Sequence, residues 1–289
     1  MSSSGALPPQ KAAEDTLETG QHHLFESLQL TFLKNIYGAL LLSAGGLLSL
    51  ILETGSPSLT QSNPGLAQVL QGLAFPLGLV LVYFVGAELF TGYPMWCVLI
   101  PSKQLDKDKG RDGSDKSGFV VSWVSNLIGA VFFAGVFTYL TGILSEEPFK
   151  SGTTEMITSD IVEKEWRVIF LRAIMCGYLV TLAMFLGTQN HDGISKALGL
   201  HLPFFISTTA KCPHTVEYMY LGSVGMMLGA PLSIGAFFWK CLLPITLGNT
   251  VGGALFMGLY LWWVYIVCGD EKAGEGGSDG WGALRLDGN

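Results

Sequence analysis

The sequence predicts an all-α integral membrane protein of six transmembrane helices, two of them broken, built as inverted three-helix repeats. Three observations carry this reading. First, only 13% of the 289 residues are charged and 49% are hydrophobic, about half the usual charge of a soluble domain, which is near 25%. Second, apolar runs at 36–52, 118–144, 168–186 and 241–267 have the ~20-residue length that crosses a bilayer as helix. Third, two further apolar runs are interrupted by polar and helix-breaking residues, at Glu88–Pro94 and at Thr208–His214. Such breaks at membrane depth are tolerated only where they line a cavity or are packed in protein.

The elements follow in order. Residues 1–30 read as a tail, 31–268 as the transmembrane pore domain and 269–289 as a Gly-rich acidic tail. The six segments lie near 34–52, 66–101, 118–144, 166–188, 193–228 and 236–268. Residues 1–21 have no basic start followed by an apolar core, so no cleavable signal peptide is predicted. Lys103, Lys107, Lys109, Arg111 and Lys116 crowd the loop after the second segment, and the loop after the third is acidic. The positive-inside rule then places both termini in the cytoplasm, in a plasma or bacterial inner membrane.

The five cysteines are scattered without metal-ligand spacing, and their odd number argues against a disulfide framework. No metal site, cofactor or enzyme is predicted, since no nucleophile–base set is visible. The net charge of −7 resides mostly in loops and tails and gives no sign of a nucleic-acid partner. Trp239, Trp262 and Trp263 read as interfacial belt residues.

The halves repeat. Asn126-Leu127-Ile128-Gly129 and Asn249-Thr250-Val251-Gly252 share a pattern at an offset of 123 residues. With three crossings per half the repeats are inverted. The same offset carries Thr91 onto His214. Paired interrupted helices in two inverted halves point to a transport site at the midplane.

These residues resemble the formate/nitrite transporter family. Phe75-Pro76-Leu77-Gly78-Leu79 with Gly86-Ala87-Glu88-Leu89-Phe90-Thr91-Gly92 is similar to the family's second helix and loop. His214-Thr215-Val216 and Met219 resemble its broken fifth helix, and 243–253 its sixth. The resemblance covers about residues 30–268. It implies an aquaporin-like protomer, a homopentamer with one pore per protomer, and passage of a small monovalent anion or its weak acid (formate, nitrite or a short monocarboxylate) with protons. It further implies that Leu79, Leu89, Phe90 and Val180 form the cytoplasmic-side constriction, that Phe75 belongs to the outer one, and that Thr91 and His214 face the chamber between. The chain also departs from the family. Ser207 stands where a second outer phenylalanine is usual, which predicts a wider opening unless Phe204 or Phe205 replaces it. Tyr93, Gly177 and Tyr218 stand where asparagines are common, and Lys211 and Pro213 where a glycine and an acidic residue precede the histidine.

The chemistry of these residue types suits that reading. An imidazole donates a hydrogen bond to a carboxylate or nitrite oxygen and titrates in an accessible range. A bare anion is costly to bury, so a proton taken up near His214 would let it pass apolar constrictions. Lys211 at the same break either attracts anions and holds His214 neutral, or pairs with Glu217 or Glu88, or sits between protomers. Lys34 and Lys164, near opposite mouths, draw anions by their field or simply snorkel. Glu88 caps loop amides or transfers protons, Asn126 and Asn249 support irregular backbone, and Arg172 meets a lipid headgroup or a neighbouring protomer. Two alternatives stay open: a non-conducting paralogue acting as membrane sensor or scaffold, and a neutral-solute channel. No paired Asn-Pro-Ala motif stands at the breaks to favour the latter.

Overall fold

The computed structural model describes residues 5–99 and 117–268. The basic loop used to orient the chain and the C-terminal tail lie outside these residues. Among the described residues all regular structure is helical. Five helices are long and apolar enough to cross a membrane: α2 (Leu28–Thr54), α4 (Pro64–Val85), α6 (Gly118–Tyr139), α8 (Trp166–Gln189) and α11 (Ile234–Val267). The predicted fifth crossing is made of two shorter pieces, α9 (Gly193–Thr209) and α10 (Thr215–Leu228). Short helices fill the connections: α3 (Pro57–Ser62), α5 (Tyr93–Leu99) and α7 (Phe149–Ile157). Large apolar side chains such as Phe84, Leu171, Leu202, Trp239 and Phe256 point outward. Helices apolar on every side belong in a bilayer.

Residues 9–24, expected to be part of a tail, form a helix instead. Helix α1 (Pro9–Leu24) buries Ala12, Ala13, Thr16 and Gly20 along one stripe, the spacing of a single helix face. Gly20 lies so close to the Trp96 ring that a Cβ would come within 2.7 Å of it. Leu7 and Gln189 exchange two hydrogen bonds, of 2.7 and 3.0 Å. These contacts fix the helix to one end of the bundle.

The repeat is visible in the packing. The Asn126 amide donates to the Asn35 carbonyl at 2.6 Å, and the Asn249 amide to the Ala173 carbonyl at 2.8 Å. A Cβ on Gly129 would meet the Ile36 carbonyl at 2.5 Å, and one on Gly252 would meet the Ile174 carbonyl at 2.0 Å. Asn35–Ile36 and Ala173–Ile174 are thus the same feature 138 residues apart. Trp123 and Thr246, 123 residues apart, hydrogen-bond to each other at 3.0 Å. Repeat-mates that touch lie beside the pseudo-two-fold axis.

Inside the breaks the register differs from the expected one. The asparagine side-chain oxygens accept from the Phe90 amide (2.7 Å) and the Thr215 amide (2.8 Å), which lie 36 and 34 residues before them. Their amides donate to the Glu88 and Pro213 carbonyls. The offset here is therefore 125, and Leu89, not Thr91, corresponds to His214. The two-residue difference is taken up in the connection between break and helix, where insertions are tolerated.

The close helix crossings generate a test. Gly252→Val would drive a side chain into the Ile174 carbonyl, an overpacking cost of about 1–3 kcal/mol or more. A lower melting temperature in detergent is expected for it, and an unchanged one for Gly235→Ala, where a Cβ meets nothing within 4 Å.

Candidate functional site

Each broken helix ends for a local reason. Gly86, at φ 72°, closes α4 with a left-handed cap. The chain then runs extended through Leu89 into a short turn at Phe90–Gly92 that presents Thr91. At the second break His214 has extended backbone and caps α10. Its Nδ1 accepts the Glu217 amide N–H at 3.4 Å, while Glu217 Oε2 accepts the His214 amide at 3.4 Å. Pro213 replaces the expected carboxylate before the histidine, and Glu217 supplies one from the next turn. Because Nδ1 accepts, the neutral ring carries its hydrogen on Nε2. That nitrogen lies 3.0 Å from Thr91 Oγ1, and both residues are almost fully buried.

An aromatic pair flanks this polar point. Phe75, at the Pro76 kink of α4, meets Phe204 edge-to-face with centroids 4.9 Å apart, and Phe204 meets the His214 ring at 5.4 Å. Phe204 thus meets both rings from a position three residues before Ser207 on α9. Ser207 is fully buried. Leu79, Leu89 and Val180 share one buried apolar cluster with Phe75 and Phe204. Phe90 is fully buried and packs its ring on Phe119, with centroids 4.7 Å apart.

The charged residues are engaged elsewhere than expected. Glu88 caps no loop amide; Asn126 does that. Its carboxylate receives His23 Nδ1 at 2.6 Å, the Tyr93 hydroxyl at 2.8 Å, Lys34 Nζ at 3.2 Å and the Asn35 amide at 3.4 Å. Lys34 also pairs with Glu26, so it is not a free cation at the mouth. His23, Glu26 and Glu88 could by spacing hold a metal ion, but the Lys34 ammonium already sits on both carboxylates. His23 stacks on Trp96 at 4.6 Å and, with Glu88, lines a cavity of about 220 Å³ beneath α1.

At the opposite end, Lys211 Nζ lies 2.6 Å from Glu53 Oε1. It pairs with neither Glu217 nor Glu88, and although only three residues from His214 it serves a different partner. Its φ of 55° is the single positive value among the described non-glycine residues, a conformation costing an L-residue about 1–2 kcal/mol. Lys164 Nζ lies 3.6 Å from Asp160 and 3.1 Å from the Ser159 carbonyl. Lys211, Lys164, Glu53, Asp160 and Arg172 line one open vestibule of about 400 Å³. Sequence reasoning missed Glu53, Asp160 and His23 as partners. The signal available was a lone acid or histidine at the end of an apolar run.

The comparisons with known proteins agree with this architecture. Residues 10–263 match the family described as formate/nitrite transporter. The chain belongs to that family. It is 36% identical over 250 residues to a probable formate transporter of Methanothermobacter thermautotrophicus, covering 82% of this chain and 88% of that one. It is 25% identical to the formate channel FocA of Haemophilus influenzae, over 89% and 94% of the two chains. A solved pentameric formate channel with formate bound superposes with a TM-score of 0.69 at 24% identity, covering 82% of this chain and 97% of that one, which shows the fold. The protein is therefore a multi-pass membrane transporter of the formate/nitrite type and not an enzyme.

Within that family's frame the substituted positions have local explanations. Tyr93 serves Glu88, and the Tyr218 hydroxyl reaches Asp160 at 3.4 Å. Gly177 abuts the Asn249 backbone, where a Cβ would come within 2.2 Å, so no asparagine fits. The break itself hangs on Asn249. Asn249→Ala leaves the Thr215 amide and the Pro213 carbonyl without their partner, at about 1–3 kcal/mol for each group stranded, and removes a second acceptor contact at the Ala173 carbonyl. Thermal unfolding in micelles should show a large loss for Ala and a smaller one for Asn249→Asp, which keeps the acceptor.

Proposed function

We propose that the chain carries formate or a similarly small monovalent anion through a pore in each protomer, with a proton accompanying it. The observation that carries this reading is the buried His214 Nε2–Thr91 Oγ1 pair, 3.0 Å apart and next to apolar residues. Together the two groups can donate hydrogen bonds to the oxygens of a planar carboxylate or nitrite. The capping bond to Nδ1 keeps the ring hydrogen on Nε2, where it meets Thr91 Oγ1; an arriving oxygen that takes the place of this contact accepts from both groups.

The sequence of events follows from desolvation. An anion sheds water on passing Phe75 and Phe204, and nothing in that apolar pair compensates it. At His214 and Thr91 it recovers hydrogen bonds. A proton that enters from the outer aqueous phase neutralises it there, with His214 remaining the neutral imidazole, and the neutral acid then passes Leu79, Leu89 and Val180 with a far smaller penalty. In this reading Asn126 and Asn249 support the loops, Glu88 anchors the cluster of His23, Tyr93 and Lys34, and Lys34 and Lys164 belong to the two mouths. The homologous channels' names support formate as the first substrate to test, and the pentameric neighbour supports a homopentamer. The end bearing α1 faces the cytoplasm, as does the C-terminus.

The test is uptake of labelled formate by purified protein in liposomes. Uptake should rise as external pH falls from 8 to 5 and be matched by internal acidification. His214→Asn should reduce proton-coupled uptake at every pH in that range. Equal flux across the range without proton movement would point to simple anion channelling. The aromatic gate makes a second prediction: Phe204→Leu should raise acetate and lactate uptake relative to formate. Unchanged selectivity would remove Phe204 from the size filter.

A further inference from the structure

We propose that Glu53 is a resident carboxylate on Lys211, occupying the vestibule's anion-binding place and exchanging with the incoming carboxylate. The proposal rests on the transport reading above and names a binding step that precedes the aromatic gate.

Four observations point to it. The Lys211–Glu53 pair, at 2.6 Å, lines both the 400 Å³ vestibule and a smaller inner cavity of about 30 Å³. It therefore stands where one opens towards the other. The inner cavity reaches Pro213 and Glu217, the residues flanking His214. Both members of the pair remain partly open, at 23% and 17% side-chain exposure, so a solute can reach the ammonium. Lys211 is held in a left-handed conformation, which fixes its backbone at the rim of the break while the side chain reaches across to the end of α2.

The surrounding charges favour an arriving anion. Three bases, Lys164, Arg172 and Lys211, face two acids, Glu53 and Asp160. Lys164 is occupied by Asp160. Arg172 is exposed and has neither ion pair nor hydrogen bond among the described residues. Its planar guanidinium is suited to a carboxylate and supplies the first contact. Glu53 presents to Lys211 the same carboxylate group that a small monocarboxylate would. A partly exposed ion pair is worth little net free energy, so an external carboxylate can displace it. On displacement the Glu53 side chain swings to solvent, and the substrate sits on Lys211 at the entrance of the inner cavity. Such an internal competitor raises the concentration of substrate needed while keeping the cation from trapping it.

The experiment is a double-mutant cycle on the full chain, with two readouts at pH 7: ¹³C-formate line broadening on purified protein, and labelled-formate uptake in liposomes. Glu53→Gln is expected to tighten formate binding and lower KM by about three- to fivefold, the size of a partly exposed pair. Lys211→Met should weaken both. The double variant should match Lys211→Met, because without the lysine there is nothing for Glu53 to compete over. A Glu53→Gln gain that persists undiminished in the Lys211→Met background would mean that Glu53 acts only through the vestibule's overall charge. A Glu53→Gln variant that binds formate more weakly would make the pair a structural strut. Either result overturns the proposal. Should Glu53→Gln not assemble, Glu53→Asp, one methylene shorter, is expected to show a smaller gain, and no gain refutes the idea. If binding follows the cycle but no variant nor the parent carries formate, the transport reading fails and the competition stands.

Discussion

A helix that stops inside a bilayer leaves amides and carbonyls that hydrocarbon cannot satisfy, and everything at the centre of this protein depends on how two such stops are satisfied. Asn126 and Asn249 do it. Each accepts a hydrogen bond from a break amide and donates to a break carbonyl, and each donates once more to a neighbouring helix, at Asn35 and Ala173. The helices can approach closely enough for this because Gly129 and Gly252 lie against backbone carbonyls. One amide side chain per half thus converts broken helices into rigid frame. Thr91 and His214 are positioned by that frame, one from each half.

The polar point so made is small, and its surroundings set what it can do. Aromatic rings and aliphatic side chains flank a single imidazole–hydroxyl pair, whose Nε2 hydrogen is directed at Thr91 Oγ1 by the capping bond at the other ring nitrogen. Apart from Glu217, whose carboxylate accepts the His214 amide, the paired ionisable groups stand off from it. Glu88, His23, Lys34 and Glu26 are gathered at one end of α2, while Glu53, Lys211, Asp160 and Lys164 are gathered at the other. Lys34 and Glu53 are 19 residues apart on that helix, about 28 Å at 1.5 Å per residue. The ion pairs among the described residues are therefore concentrated at the two ends of α2, an arrangement in which an anion attracted at entry must then be carried by hydrogen bonds.

Much of this was legible in the sequence, and the misses have physical causes. Low charge, long apolar runs and paired breaks gave the membrane class and the repeat, because bilayer burial constrains composition strongly. The Asn-x-x-Gly pattern was readable because it performs the same packing job twice. The register within the breaks was not, since loop length varies freely while helix contacts do not; Leu89 rather than Thr91 is the counterpart of His214. Side-chain partners were the other gap. Lys211 chooses Glu53, 158 residues away, and such a pairing depends on tertiary placement that local spacing does not encode. The same holds for Phe204, which reaches Phe75 from a position three residues before Ser207 on the same helix. The segment carrying α1 was read as a tail because its apolar face consists of Ala, Thr and Gly, which give little hydropathy signal yet pack closely.

The central claim is that a neutral His214, hydrogen-bonded through Nδ1 to the chain and offering Nε2–H to the pore, is the group that meets substrate. Nitrogen-15 solid-state NMR of ring-labelled protein in bilayers tests it most directly, with His214→Asn used to assign the resonances. The account predicts that at pH 7 His214 is the Nε2–H tautomer, and that added formate shifts its Nε2 signal while leaving Nδ1 nearly unmoved. A ring protonated at Nδ1, or signals indifferent to saturating formate, would contradict it.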